Sequence, residues 1–181
     1  MNCFYCIKQK IMPFKIFLFF VFILSLGSLD LFSQGKFAGS FKKLIGRTYS
    51  NDRHIPGLEG YDYRQGDLIT DVNDEESQFI TVFIKGKNAA VVYSAQSGAT
   101  KKIFTIIDII QIKNIPPGWE IKTAGCSEGA TEPEIIIALV NPGKKQYTTT
   151  VKQAWLCERD RLRIEAIGTK NVKCLNEGFG E

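Results

Sequence analysis

The sequence predicts a mainly β fold: one domain of about eight antiparallel strands, forming a meander, barrel or sandwich. Three observations carry that expectation. Short runs rich in Ile, Val, Thr and aromatic residues recur from Gln78 onward, separated by turn residues such as Lys85-Gly86-Lys87-Asn88 and Asn141-Pro142-Gly143-Lys144. Alternation with period two is clearest around Tyr147–Cys157 and Leu162–Ala166. No heptad, internal repeat or low-complexity tract competes with this reading.

The chain opens with Lys8, Lys10 and Lys15, followed by the apolar run Ile16–Leu26 and then small and polar residues up to Gln34. A basic stretch, a short apolar core and small residues at a cleavable position describe a secretory signal peptide over residues 1–34, with cleavage near Ser33 or Gln34. The apolar core is shorter than the ~20 residues of a spanning helix, and extending it to Phe32 would bury Asp30. Translation from Met12 would leave a sufficient basic stretch, and from either start Cys3 and Cys6 leave with the signal. No membrane span is expected after processing, and the protein is expected to be periplasmic or secreted.

Processing removes three lysines and one acid, so the formal charge falls from +4 to about +2. That excludes the basic footprint of a nucleic-acid binder. Residues 35–181 are enough for one domain with a real core. Within them, 36–48 reads as a short helix or turn. Residues 49–78 read as an acidic, Gly- and Tyr-containing irregular segment with a short strand near Asp67–Thr70 and an exposed acidic turn at Asp71–Ser77. Strands follow at 79–84, 89–94, 102–112, 119–124 and 135–140, with 96–100 as a loop.

The stretch from Gln146 to Glu177 organises the rest. Tyr147, Thr149, Val151, Gln153, Trp155 and Cys157 form one face of a strand, anchored inward by Trp155. A charged turn at Glu158–Arg161 leads into a partner whose Leu162, Ile164 and Ala166 alternate with Arg161, Arg163 and Glu165. The arginines read as a solvated face beside the turn. Asn171–Cys174 ends the strand set.

Two runs do not fit a sheet with one wet face. Ile103–Ile112 and Ile135–Val140 are apolar on both sides, so each needs a second cover: the N-terminal zone, a helix, or a second copy in a homodimer. Asp108 lies inside the first run and needs a partner if buried.

Export leads to an oxidising compartment, and Cys126, Cys157 and Cys174 remain there. Cys126 and Cys174 each sit at a strand-like end beside a Gly-containing loop, which favours them as the disulfide over Cys157 with Cys174. Such a bridge closes a loop of about 49 residues and stabilises by about 4 kcal/mol. The leftover thiol reads as a small buried hydrophobe.

Chemistry is thin. His54 is the one histidine, which rules out a multi-histidine zinc site. Ser50 and Asp52 lie too close to it in sequence to suggest a triad. Asp71-Val72-Asn73-Asp74-Glu75-Glu76 has oxygen ligands but lacks the glycine and distal glutamate of a calcium loop. No catalytic residue, metal or cofactor is assigned.

Two stretches resemble families of exported β-barrels. Tyr93-Ser94-Ala95-Gln96-Ser97-Gly98-Ala99 resembles the Ser- and Gly-containing loop of secreted bacterial lysozyme inhibitors, with spacing one residue longer than Ser-Ala-Ser-Gly-Ala. Those proteins insert the loop into the enzyme's cleft, so the resemblance implies a contact through Ser94, Ser97 and Gly98. Leu44-Ile45-Gly46-Arg47-Thr48-Tyr49 is similar to the opening of lipocalin-type barrels, without their usual tryptophan. The function expected is that of a non-catalytic binding or interaction protein of the bacterial envelope. The alternatives are a barrel carrying a small apolar ligand behind Trp155, or a protein inhibitor of a secreted hydrolase. A hydrolase using carboxylates of residues 52–76 ranks last.

Overall fold

The computed structural model describes residues 41–70, 77–97, 103–129 and 135–179. The fold is mainly β and antiparallel, as expected, but it holds twelve strands among the described residues rather than about eight. The extra strands are the short pieces Thr48–Tyr49, Cys126–Glu128 and Tyr147–Thr148. In chain order they are β1 (Thr48–Tyr49), β2 (Asp62–Leu68), β3 (Ser77–Lys85), β4 (Asn88–Ser97), β5 (Ile103–Ile112), β6 (Glu120–Lys122), β7 (Cys126–Glu128), β8 (Ile136–Val140), β9 (Tyr147–Thr148), β10 (Val151–Glu158), β11 (Arg163–Ile167) and β12 (Val172–Leu175).

Three sheets result: β1-β5-β4-β3-β2, β11-β10-β8-β6, and β7-β12-β9. The first two pack face to face. Ile80, Val82, Val91, Tyr93, Ile110 and Ile112 of the first meet Ile121, Ile137, Leu139, Cys157 and Ile164 of the second. Alternating side chains make this layer, since pairs such as Val82 with Val91 and Val91 with Ile110 stand on one face.

Both apolar-on-two-sides runs are covered from within the chain. Behind the first sheet, Phe41, Leu44, Tyr49, Ile55 and Leu58 close over Phe83, Ala90, Val92, Phe104, Ile106 and Ile109. Of the helix or turn expected at 36–48, residues 41–48 are described and hold one 3-10 turn, Lys42–Leu44, which places Leu44 in this layer. Tyr49 stacks on Phe104 with centroids 5.1 Å apart. Gly57 has φ +102°, and a Cβ there would collide with the Leu44 side chain. Behind the second sheet, Cys126, Val172 and Cys174 of the small sheet pack on Ile136, Ala138, Val140 and Ala154.

The Cys126–Cys174 disulfide is present, and the two residues face each other across paired strands. Cys157 is free and buried.

Several local expectations are corrected. The stretch 147–157 is two strands, not one: β9 joins the small sheet, the chain breaks at Thr149–Thr150, and β10 enters the second sheet. From Ala154 on, its even face is covered, because Ala154 and Leu156 pack under the small sheet. Residues 126–128, read as loop, form β7, since pairing with β12 supplies backbone partners that local composition does not announce. The expected short strand at Asp67–Thr70 begins earlier and spans Asp62–Leu68. The expected loop at 96–100 begins later, because β4 runs to Ser97. Leu162 sits in the turn with φ +52° and is half exposed, and Ala166 is exposed, so Ile164 alone of that trio is buried. β11 is the edge strand of its sheet. The acidic turn Asp71–Glu76 lies outside the described residues, apart from Ser77, which begins β3.

Candidate functional site

The two main sheets curl toward each other and have two margins between them. At one margin β5 meets β11. The β4–β5 register slips between Tyr93 and Ser94, leaving Ile107 as a bulge. Up to Ile106, the outer edge of β5 bonds to the β1 segment, with Ile106 N–H donating to the Arg47 carbonyl at 3.0 Å. Beyond the bulge, Asp108 takes over. Its carboxylate accepts from Ile109 N–H at 2.8 Å and, across the margin, from Ile164 N–H at 2.7 Å. The expected partner of Asp108 is thus the backbone of the facing sheet.

Tyr93 and Cys157 lie buried beside this latch, and the Tyr93 hydroxyl donates to Gln78 Oε1 at 2.6 Å. Burial, and next the Asp108 carboxylate, push the Cys157 thiol up to about 12. Burial likewise raises Tyr93 far above the ordinary tyrosine value. A thiol held neutral in this way is inert, not nucleophilic.

At the other margin β2 and β6 are both sheet edges, and among their described contacts side chains bridge them. Gln65 and Asp67 stand opposite Val82 and Ile80, so both point to the inner layer. Gln65 Nε2 donates to Thr123 Oγ at 2.6 Å, and the Thr123 hydroxyl donates to Asp67 Oδ2. Thr123 is only 3% exposed, although the layer around it is apolar.

A cleft of about 600 Å³ opens over this chain of groups, bounded by β2, β6 and Trp119. Lys122 projects at its rim, 3.1 Å from Glu120 and 3.3 Å from Glu177. Burial alone would lower the Lys122 pKa, but the two carboxylates more than offset that and hold it above the ordinary value. Lys152 Nζ stands over the Trp119 ring, 6.0 Å from its centroid.

The residues singled out from the sequence do not converge. Ser94 is fully buried behind the first sheet, where its hydroxyl accepts from Tyr49 O–H at 2.9 Å, so it presents nothing to a partner. Ser97 ends β4, and Gly98 lies outside the described residues. Trp155 packs against the inner layer, on the opposite side of the first sheet from Ser94. His54 is exposed. Arg161 and Arg163 pair with Glu158, and Arg163 also with Glu165, as a solvated face would.

The seam residues Gln65, Asp67 and Thr123 went unremarked as a site in the sequence. The available signal was two polar side chains at alternate positions, 65 and 67, on what had to be the inner face of a strand. No described helix is long and apolar enough to cross a membrane. Among the described residues, no three His, Cys, Asp or Glu side chains are placed to share a metal ion. No protein-family profile, curated protein or solved structure matches the chain.

Proposed function

We propose that this is an exported, non-catalytic binding protein whose ligand enters the seam between β2 and β6. The observation carrying this reading is the Gln65–Thr123–Asp67 chain, with Thr123 buried and its two partners half-buried, in the lining of an open cleft. A margin with no ligand to serve is most cheaply sealed with apolar side chains, because a buried hydroxyl must be hydrogen-bonded to be tolerated. Polar groups preplaced in an otherwise apolar layer are the usual equipment of a small-molecule site. Export rests on the basic and apolar pattern of residues 8–34.

Native mass spectrometry of the protein released from its own envelope fraction tests both parts. The expected result is a mature chain beginning near Ser33 or Gln34 that carries extra non-covalent mass. That mass should be lost in a Thr123→Val variant. A full-length chain overturns cleavage of the signal, absence of the protein from the envelope fraction overturns export, and extra mass that is absent or indifferent to Thr123→Val overturns the seam as the site.

A further inference from the structure

We propose that the seam takes an uncharged, hydroxyl-rich ligand of about one or two sugar rings, an inference that rests on the seam being the binding site. The volume is suitable: about 600 Å³ lies within the range of small-ligand clefts. The chemistry narrows by elimination. Cation positions are already filled by the chain itself, with Lys152 over Trp119 and Lys122 between Glu120 and Glu177.

An anion is disfavoured because Asp62, Asp67, Glu120 and Glu177 outnumber Arg64 and Lys122 along the lining. An apolar molecule would strip water from Gln65, Asp67 and Lys122 and return no hydrogen bond, a penalty of about 1–3 kcal/mol per group.

A neutral polyol meets none of these objections. Each hydroxyl both donates and accepts. Gln65 Oε1 and the second oxygen of Asp67 are acceptors beyond the atoms already joined to Thr123, and the Lys122 ammonium has a third donor beyond its two carboxylates. Trp119 lines the same cleft, and the part of its ring not under Lys152 offers an apolar surface for the C–H face of a sugar ring.

The test is titration of the mature, isotopically labelled protein followed by amide and indole NMR shifts. The probes are three neutral disaccharides (cellobiose, maltose and diacetylchitobiose), with spermidine, citrate and decanol as cationic, anionic and apolar competitors. At least one disaccharide should shift the Trp119 indole and Thr123 amide signals saturably. Thr123→Val, nearly the same shape, should weaken it about tenfold or more while leaving the spectrum's dispersion intact, and Trp119→Phe should weaken it independently.

Spermidine, citrate or decanol binding in the seam in place of every disaccharide overturns the ligand class and leaves the seam as the site. Disaccharide shifts mapping elsewhere overturn the seam. No seam shift with any probe overturns both.

Discussion

The two margins of the sandwich are closed by different chemistry. At β5/β11 a carboxylate reaches across and accepts a backbone N–H, with Tyr93, Cys157 and Ile164 packed around it. At β2/β6 the crossing is side chain to side chain, through Gln65, Thr123 and Asp67, with a cleft above it. A charged acceptor on backbone donors is among the stronger hydrogen bonds, at about 1.5–3 kcal/mol, and losing it orphans a backbone group. At the side-chain bridge the Gln65–Thr123 bond is neutral, at about 1 kcal/mol, and the Thr123–Asp67 bond is charge-assisted but ends on a half-buried carboxylate, so Gln65 and Asp67 can exchange partners with water or a ligand. The first margin is built to stay shut and the second to be occupied.

That contrast can be broken at either margin. The largest effect is expected at the latch: Asp108→Ala should cost about 3 kcal/mol in urea unfolding, because Ile164 N–H loses its acceptor in a part-buried setting. Asp108→Asn keeps an acceptor and should cost about half as much. A loss under about 0.5 kcal/mol for Asp108→Ala would show that the margin is held by packing alone. Next, Tyr93→Phe should cost about 1 kcal/mol by the same measurement, since Gln78 Oε1 loses its donor.

The alkaline limb comes third. Cys157 is neutral in the fold up to about 12 but ionises near 9.0 when unfolded. The unfolded chain therefore sheds a proton first, and stability is lost as pH rises between those values. Cys157→Ala should delay the decline until the tyrosines, Tyr93 foremost, begin to ionise in the unfolded chain. Unchanged alkaline curves in that variant would show that the thiol is not shielded from water in the fold. Native Cys157 should also resist iodoacetamide near neutral pH and react once urea is added, read by intact mass.

The smallest stability effect is expected at the seam. Thr123→Val should change unfolding by about 1 kcal/mol, because half-buried Gln65 and Asp67 can turn to water for the lost hydroxyl, while removing ligand binding. A loss as large as that of Asp108→Ala would make the seam structural and erase the difference between the margins.

Much of this architecture was legible beforehand. The two-sided apolar character of Ile103–Ile112 and Ile135–Val140 required covers, and both exist. Cys126 and Cys174 were paired correctly from their positions at strand ends. The site was not legible. Ser94 ended an expected strand and counted as a contact only through the resemblance to an inhibitor loop, yet β4 continues through it and Tyr49, 45 residues earlier, is its buried partner. Leu162 fitted an alternation that its left-handed turn conformation interrupts. β7 had no signal of its own, because its partner β12 lies over 40 residues downstream.

The sequence by itself determined the longer strands, several of the turns, the disulfide and the demand for covering layers, since alternation, turn residues and burial requirements are local properties of the chain. Only the tertiary structure decided which segment covers which face, that one margin is latched by Asp108, and that Gln65, Asp67 and Thr123 meet at the other. Those outcomes depend on contacts between residues more than 50 positions apart, such as Gln65 with Thr123 and Asp108 with Ile164. Packing selects such contacts among many that local pattern permits equally.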